Sequence, residues 1–186
     1  MANKQIYAAN IYTAHYDFPL GGITMASNGT ELTGLWFDGQ KYFGDTLNDE
    51  HKEKALPIFE ETKKWLDIYF KGEDPGFTPP LYALTTPFRR AVWEIMLQIP
   101  FGKTMTYGEI AKKLAARSGR EHMSAQAVGG AVGHNSISLI IPCHRVVGTN
   151  GSLTGYAGGI DKKAALLKME KADMSGFFVP KKGTAL

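Results

Sequence analysis

The sequence predicts a mixed α/β (α+β) protein with two domains. One is a small N-terminal domain with an antiparallel sheet and a helix, and the other is a mainly helical C-terminal domain with a winged-helix-like helix-turn-helix. Three observations predict this: strand and turn patterns up to about residue 54, a Gly- and Pro-rich interruption at 72–80, and well-punctuated helical segments after it. We therefore place domains at 1–80 and 81–175, with a tail at 176–186.

The N-terminal domain begins with a predicted hairpin. The apolar segments 22–27 and 30–37 flank Asn28-Gly29, a dipeptide that readily supplies the positive φ angles of a tight turn. The segment 55–70 then predicts an amphipathic helix facing the sheet, because its apolar residues recur at three- and four-residue steps. These residues are Ala55, Ile58, Phe59, Trp65, Leu66, Tyr69 and Phe70. We interpret this domain as a scaffold.

The C-terminal domain contains three predicted helices with clear starts. Thr86 precedes a proline and suits an N-cap, and Thr106 with Glu109 forms a capping box. Ser124 caps the third helix, which ends at about residue 134. The second and third helices, joined by a short polar connector, resemble a helix-turn-helix, although this geometry also occurs without a DNA role.

The third helix has almost no side-chain bulk. Residues 127–132 are Ala-Val-Gly-Gly-Ala-Val, and each interior glycine costs a helix about 1 kcal/mol relative to alanine. Either tight packing on the neighbouring helix or close approach to a partner must compensate for this cost.

Composition limits the classes of function. The chain has 186 residues, a net charge of +3 and one cysteine, so an internal disulfide and a thiolate metal cluster are both excluded. Without a signal-like or membrane-length apolar run, we expect a cytoplasmic protein with no membrane association. The histidines show no metal-ligand spacing, and we predict no metal site. They are His15, His51, His122, His134 and His144.

The single cysteine, Cys143, follows Pro142 and precedes His144 and Arg145. The proline restricts the backbone, and a nearby imidazole and guanidinium favour the thiolate, which is the nucleophilic form. Adjacency in sequence is weak support, since neighbouring side chains often diverge. From the residues alone Cys143 is a buried small hydrophobe, a nucleophile or one ligand among histidines.

The motifs around Cys143 resemble the O6-alkylguanine-DNA alkyltransferases, also called methylated-DNA–protein-cysteine methyltransferases. The resemblance covers residues 86–171 and consists of five motifs in order. These are Val92-Trp93 with Ile99-Pro-Phe-Gly102, Tyr107-Gly-Glu-Ile-Ala111, Ala127-Val-Gly-Gly-Ala131 with Asn135, Pro142-Cys-His-Arg-Val-Val147 and Gly155-Tyr-Ala-Gly-Gly159. The N-terminal half resembles the family only in layout.

This resemblance implies a single-use repair reaction. The protein would flip an O6-alkylated guanine, chiefly O6-methylguanine, out of duplex DNA and move the alkyl group irreversibly onto Cys143, without a cofactor. His144 would take the thiol proton through a bridging water, and Glu170 would orient that histidine. The thioether formed is stable, so the family does not turn over.

Two further residues match catalytic positions of the family. Tyr107 would protonate the flipped base and help to turn the phosphate outward; the alternative is a packing tyrosine at a helix start. Asn135 would brace the loop near Cys143; the alternative, which can hold at the same time, is an asparagine cap in left-handed geometry.

The resemblance also implies a DNA face and a base pocket. The third helix would enter the minor groove, with contacts from Ser124, Gln126, Ala127, Gly129 and Gly130. We group Arg145 with the DNA-binding residues and also expect it to hold its loop by pairing with backbone or a carboxylate. The pocket would be formed by Tyr156, Ala157, Gly158, Ser138 and Val146.

Three positions depart from the family pattern. Gln126 replaces the arginine that fills the gap left by the flipped base, which predicts weaker and less salt-dependent DNA binding. Ser138 and Ala157 stand where proline and serine are frequent, so the range of alkyl groups accepted stays open, as do O4-alkylthymine repair and cooperative binding to DNA.

Two alternative functions remain. A lesion-binding or regulatory protein would keep the helix-turn-helix and transfer nothing, but relatives of that type have lost the cysteine. A thiol hydrolase would use Cys143 and His144, but no oxyanion-hole pattern is present. We expect a monomer whose partner is double-stranded DNA containing O6-alkylguanine.

Overall fold

The computed structural model describes residues 10–18 and 21–180, which form two compact units. The first contains the described residues up to Leu84 together with Ser136–Ser138, and the second contains Thr85–Asn135 and the described residues from Leu139 onward. The domains 1–80 and 81–175 remain predictions. Within them residues 1–9 and 19–20, and within the tail residues 181–186, lie outside the described part.

The first unit is built on a four-stranded sheet of order β3-β2-β1-β4. Strand β2 is antiparallel to both β1 and β3, and β4 is parallel to β1. The strands are β1 (Tyr12–Phe18), β2 (Gly21–Ser27), β3 (Leu32–Phe37) and β4 (Lys52–Glu53).

The predicted hairpin between β2 and β3 is confirmed, with Gly29 at φ 114°. Its loop comprises residues 28–31 and is longer than the two-residue turn expected from the sequence. The reason is the Asn28 side chain, whose Oδ1 accepts hydrogen bonds from the N–H groups of Thr30 and Glu31 and closes an Asx turn.

Helix α1 (Pro57–Tyr69) confirms the predicted amphipathic helix, and its apolar face is buried. Residues 136–138 extend the sheet beyond β3. The N–H of Leu35 donates to the Ser136 carbonyl at 2.8 Å, and the N–H of Ser138 donates to the Leu35 carbonyl at 2.8 Å. This segment, which lies between Asn135 and Cys143 in sequence, is therefore fixed by backbone pairing.

The three predicted helices of the second unit are confirmed as α2 (Pro87–Met96), α3 (Tyr107–Arg117) and α4 (Ala125–Gly133). The side chains of Thr86, Thr106 and Ser124 each accept a backbone N–H at the start of their helix, and the capping box of α3 is complete. The Trp93 indole of α2 donates to the Ala131 carbonyl of α4 at 3.0 Å, which fixes the two helices together.

Two further elements of this unit position the site. Strands β5 (Met105–Thr106) and β6 (Val146–Val147) pair in parallel, so the start of α3 lies beside the segment that follows Cys143. Helix α5 (Ile160–Met169) was not predicted from the sequence. Its N-cap residue is Gly159, which has φ 92° and offers no side-chain cap, so the usual sequence indication of a helix start is missing.

The mixed α/β prediction, with an N-terminal sheet and a helical C-terminal region, is confirmed. No helix among the described residues is long and apolar enough to cross a membrane.

Candidate active site

Cys143 lies at the start of a single 3₁₀ turn, Cys143–Arg145, and is 3 % exposed. Pro142 has φ −82° and ψ 65°, and the N–H of Cys143 donates to the Ile141 carbonyl at 2.8 Å, which closes an inverse γ-turn around the proline. The proline thus fixes the position of the thiol.

Asn135 braces the thiol directly. Its Nδ2 group donates to the Cys143 sulfur at 3.1 Å and to the Ile141 carbonyl at 2.7 Å. Its φ angle is not left-handed, and His134 is the C-cap residue of α4, so the alternative of a left-handed asparagine cap is wrong.

Burial raises the pKa of Cys143, and the Asn135 hydrogen bond and the charge of Lys163 oppose this rise. The resting group is a neutral thiol.

His144 and Glu170 form a buried pair, in which His144 Nε2 lies 2.6 Å from Glu170 Oε1. An ionised carboxylate only accepts hydrogen bonds, so Nε2 carries a proton and donates to it. Burial lowers the pKa of His144, although Glu170 opposes this effect. A neutral imidazole with its Nδ1 unprotonated can act as a base toward the adjacent thiol.

Arg145 is paired with the same carboxylate. Its Nε donates to Glu170 Oε2 at 2.9 Å and its Nη2 donates to Oε1 at 3.1 Å. Burial would raise the pKa of Glu170, but the hydrogen bonds and charges of His144 and Arg145 outweigh it and hold the pKa at about 2. The expected pairing of Arg145 with a carboxylate is therefore present. The DNA-binding role of Arg145 stays a prediction. The side chain is buried, and none of these contacts supports that role.

Tyr107, the first residue of α3, points its hydroxyl at the loop after β6 and donates to the Thr154 carbonyl at 3.1 Å. Burial raises its pKa to about 12, so it remains a proton donor throughout the neutral range. The structure thus places a phenol near the loop that contains Tyr156.

Tyr156 packs edge-on against His144, with ring centroids 6.4 Å apart. Its hydroxyl is buried and has no hydrogen-bond partner among the described residues. Ala157 and Gly158 follow it and are partly exposed. These three predicted pocket residues lie together beside the buried histidine.

The other two predicted pocket residues are held by buried hydrogen bonds. The Val146 carbonyl accepts from Lys163 at 2.5 Å. The Ser138 hydroxyl is buried within the first unit, where it donates to Gln40 at 3.2 Å. The role of Ser138 in the pocket stays a prediction.

Helix α4 exposes the residues predicted to contact DNA. Ser124, Gln126, Ala127 and Gly130 are exposed and Gly129 is partly exposed. A Cβ atom at Gly130 would meet nothing within 4 Å, and one at Gly129 would make only an ordinary contact with the Tyr107 ring at 3.9 Å. Packing among the described residues therefore does not require glycine at either position.

Lys163 was missed by the sequence analysis. It is fully buried, and its Nζ donates to the carbonyls of Val146 and Thr154. Burial lowers its pKa to about 8, partly offset by Cys143. The pattern that could have revealed it is its position on the same face of α5 as Leu166 and Leu167, which are both buried.

Gly102 closes the motif Ile99-Pro-Phe-Gly102, and its N–H donates to Glu170 Oε2 at 3.0 Å. Nothing in the sequence indicated this long-range contact.

Within the described ranges, no group of three or more His, Cys, Asp or Glu residues could hold a metal ion.

Family models and known relatives match this chain along most of its length. Residues 11–83 match the 6-O-methylguanine DNA methyltransferase ribonuclease-like domain, and residues 87–172 match the 6-O-methylguanine DNA methyltransferase DNA-binding domain. Two relatives named methylated-DNA–protein-cysteine methyltransferase come from Mycobacterium bovis and Haemophilus influenzae. The first is 42% identical over 85% of this chain and 93% of its own length, and the second is 36% identical over 87% of each.

Solved structures give the same result. The crystal structure of Mycobacterium tuberculosis OGT in complex with DNA has a TM-score of 0.74 and 40% identity, covering 88% of this chain and 93% of that one. The O6-methylguanine DNA methyltransferase of Methanococcus jannaschii has a TM-score of 0.58 and 31% identity, covering 91% of this chain and 100% of that one. With the buried Cys143 and its His144–Glu170 pair, these matches show that the chain belongs to the methylated-DNA–protein-cysteine methyltransferase family.

Proposed function

We propose that this protein repairs duplex DNA by transferring the alkyl group of an O6-alkylguanine, chiefly O6-methylguanine, irreversibly to its own Cys143. The observation that carries the proposal is the buried Cys143 thiol, braced by Asn135 and adjacent to the His144–Glu170 pair. The same unit contains the helix pair α3–α4 with its exposed, small-residue face.

The transfer is a displacement at carbon. Cys143 loses its proton, its sulfur forms a bond to the alkyl carbon, and the bond from that carbon to guanine O6 breaks with its electron pair going to the guanine. The alkyl group takes the place of the thiol proton on Cys143, and a proton takes the place of the alkyl group on the guanine. The products are an S-alkylcysteine and an unmodified guanine.

The neighbouring side chains supply the proton transfers. His144 accepts the Cys143 proton through a bridging water, and Glu170 stabilises the imidazolium that results. Tyr107 supplies a proton to the departing base; burial raises its pKa to about 12, so it is protonated before the reaction. After transfer the phenolate regains a proton and the imidazolium of His144 releases one, so that no net proton is gained or lost. Asn135 holds the sulfur in place while the charge develops.

Each chain acts once, because a thioether has no carbonyl for water to attack and no second cysteine is present to accept the group. This supports a stoichiometric reaction and disfavours a thiol hydrolase. A non-transferring lesion-binding protein is also disfavoured, since Cys143 is present and the similar proteins are named methyltransferases.

The exposed face of α4 is the proposed minor-groove surface. Its small residues, Ala127, Gly129 and Gly130, are not explained by internal packing. The minor groove is only about 6 Å wide, so close approach requires little side-chain bulk. Poor sequence discrimination in this groove suits a protein that searches for damage in any context.

Gln126, exposed in the first turn of α4, is the proposed residue that fills the space left by the flipped guanine. It carries no charge, so we expect Gln126→Arg to bind DNA more tightly and with a steeper dependence on salt. Binding titrations of both proteins over a range of salt concentrations test this, and identical slopes would contradict it.

The flipped base would occupy a pocket beside Tyr156, Ala157 and Gly158, with Val146 as a further contact. Flipping costs a few kcal/mol and least for a poorly paired base, which favours alkylated guanine. We further propose that the protein acts as a monomer, in the cytoplasm, where a reducing environment keeps Cys143 as a thiol.

The proposed function is tested by titration. A fixed amount of protein is mixed with increasing duplex carrying one O6-methylguanine, and the repaired lesion is counted. We expect repair to stop at one lesion per chain and to be absent in Cys143→Ala. Repair beyond one lesion per chain, or repair by Cys143→Ala, would refute the proposal.

A further inference from the structure

The motif Ile99-Pro100-Phe101-Gly102 lies outside the Cys143–His144–Glu170 arrangement, yet three of its residues contact the Arg145–Glu170 ion pair. The Ile99 carbonyl accepts a hydrogen bond from Arg145 Nη1 at 2.7 Å. The Phe101 ring lies under the guanidinium, with 5.6 Å from Cζ to the ring centroid. The N–H of Gly102 donates to Glu170 Oε2 at 3.0 Å.

These contacts use every nitrogen of the Arg145 guanidinium. Two donate to different oxygens of Glu170 and the third donates to the Ile99 carbonyl. A bidentate pair of this kind sets the plane of the carboxylate as well as its position. Oε1, which also accepts from His144 Nε2 at 2.6 Å, is therefore held in one orientation toward the imidazole.

The approach of the turn to Glu170 depends on glycine at position 102. Gly102 has φ +70°, a left-handed conformation, and a Cβ atom there would lie 2.6 Å from the backbone oxygen of Glu170. The turn and the residue that follows α5 are thus fitted backbone to backbone.

We propose that Arg145, held by the Ile99–Gly102 turn, is a positioning residue for alkyl transfer, because it fixes the Glu170 carboxylate that holds His144 with Nδ1 available to the Cys143 proton. This inference rests on the proposed function. Arg145 acts through Glu170 and does not touch the substrate.

The charges around His144 give the inference a measurable consequence. Glu170, Arg145 and Lys163 are the charged groups that act on the imidazole, Glu170 by direct contact, and the Tyr156 ring packs edge-on against it. Glu170 raises the pKa of His144, and Arg145 and Lys163 lower it. Removing the charge of Arg145 leaves Glu170 less neutralised, so His144 becomes protonated at higher pH and is lost as a base there.

The experiment compares Arg145→Met and Arg145→Lys with a matched control, Arg89→Met, at a partly exposed position in the first turn of α2. Single-turnover transfer from a duplex carrying O6-methylguanine is measured at saturating DNA over a range of pH. The DNA concentration that gives half the maximal rate is recorded separately. Urea unfolding of each variant establishes that it is folded.

We expect Arg145→Met to lower the maximal rate at neutral pH about 10- to 100-fold. This is less than the roughly 10²- to 10⁴-fold that a general acid–base group itself contributes, because Arg145 acts through Glu170. The half-saturating DNA concentration should stay unchanged, and the acidic limb of the pH profile should move to higher pH. Arg145→Lys, which keeps the charge but lacks the planar fork, should retain the acidic limb of the wild type at a reduced maximal rate. Arg89→Met should match the wild type.

A folded Arg145→Met with the wild-type rate and pH profile would overturn the inference. If that variant does not fold, Arg145→Lys decides, and a wild-type maximal rate in it would overturn the claim that bidentate geometry matters. Failure of the wild type to transfer a methyl group would instead refute the proposed function.

Discussion

Substitution of Gly130 distinguishes the two explanations for the small residues of α4, which are tight internal packing and close approach to DNA. It is exposed, lies inside the helix, and a Cβ atom there would meet nothing within 4 Å. Gly130→Ala should therefore stabilise the helix by about 1 kcal/mol, the difference in helix propensity between the two residues. In a protein of this size that corresponds to a rise in Tm of roughly 2–4 °C.

The same methyl group should weaken binding to DNA if this face enters the minor groove. Forcing an extra methyl into a close contact costs about 1–3 kcal/mol, which corresponds to roughly 5- to 150-fold weaker affinity. Stability and affinity should thus change in opposite directions.

Urea unfolding measures the stability, and fluorescence anisotropy with a labelled duplex at fixed salt measures the affinity. Gly176→Ala is the matched control, because Gly176 also has open space around its Cβ position but lies outside the helices. A destabilised Gly130→Ala would show that internal packing requires the glycine. Unchanged affinity would refute the placement of this face against DNA.

Three further substitutions test the site. Glu170→Gln should slow transfer about 10²- to 10⁴-fold, because an amide N–H facing His144 Nε2 favours the wrong tautomer of the imidazole. The control is Glu94→Gln, at an exposed position. A single-turnover rate near that of the wild type would contradict the proposed proton path. Lys163 has a folded pKa of about 8 against 10.5, so the unfolded chain binds more protons between these pH values and the free energy of unfolding rises with pH there. The rise is up to about 3 kcal/mol from this group, and urea unfolding of Lys163→Met should lack it; an equal rise in the variant would count against the buried charge. Tyr156→Phe should leave the free energy of unfolding within about 1 kcal/mol of wild type, because its hydroxyl has no partner among the described residues. The same variant should slow transfer if that hydroxyl binds the flipped base, and an unchanged rate would exclude this contact.

Local patterns predicted the parts of the fold that are locally determined. The hairpin at Asn28-Gly29, helix α1 and the caps at Thr86, Thr106 and Ser124 each depend on residues within a few positions of one another. Helix α5 was missed because its N-cap residue is a glycine, which has no side chain to cap the first turn. Its stability comes from buried residues such as Leu166 and Leu167, which sequence periodicity alone did not reveal.

The site shows the same division. The residues alone left the role of Cys143 open, and the roles of Cys143 and His144 came from the family resemblance. The pairing of His144 with Glu170 was expected from the same resemblance and is present. The contacts of Gly102 and Lys163 join residues far apart in sequence, and neither residue type indicates its partner. Buried charge can be compensated only by groups that the fold brings together, so these contacts required the structure.

The most direct test of the central claim is the intact mass of the protein after reaction with excess duplex carrying one O6-methylguanine, followed by peptide mapping. We predict a gain of one methyl group per chain, located on Cys143, and no gain with unmodified duplex. An unchanged mass despite tight and lesion-selective binding, or a methyl group on any other residue, would contradict the claim that Cys143 is the acceptor.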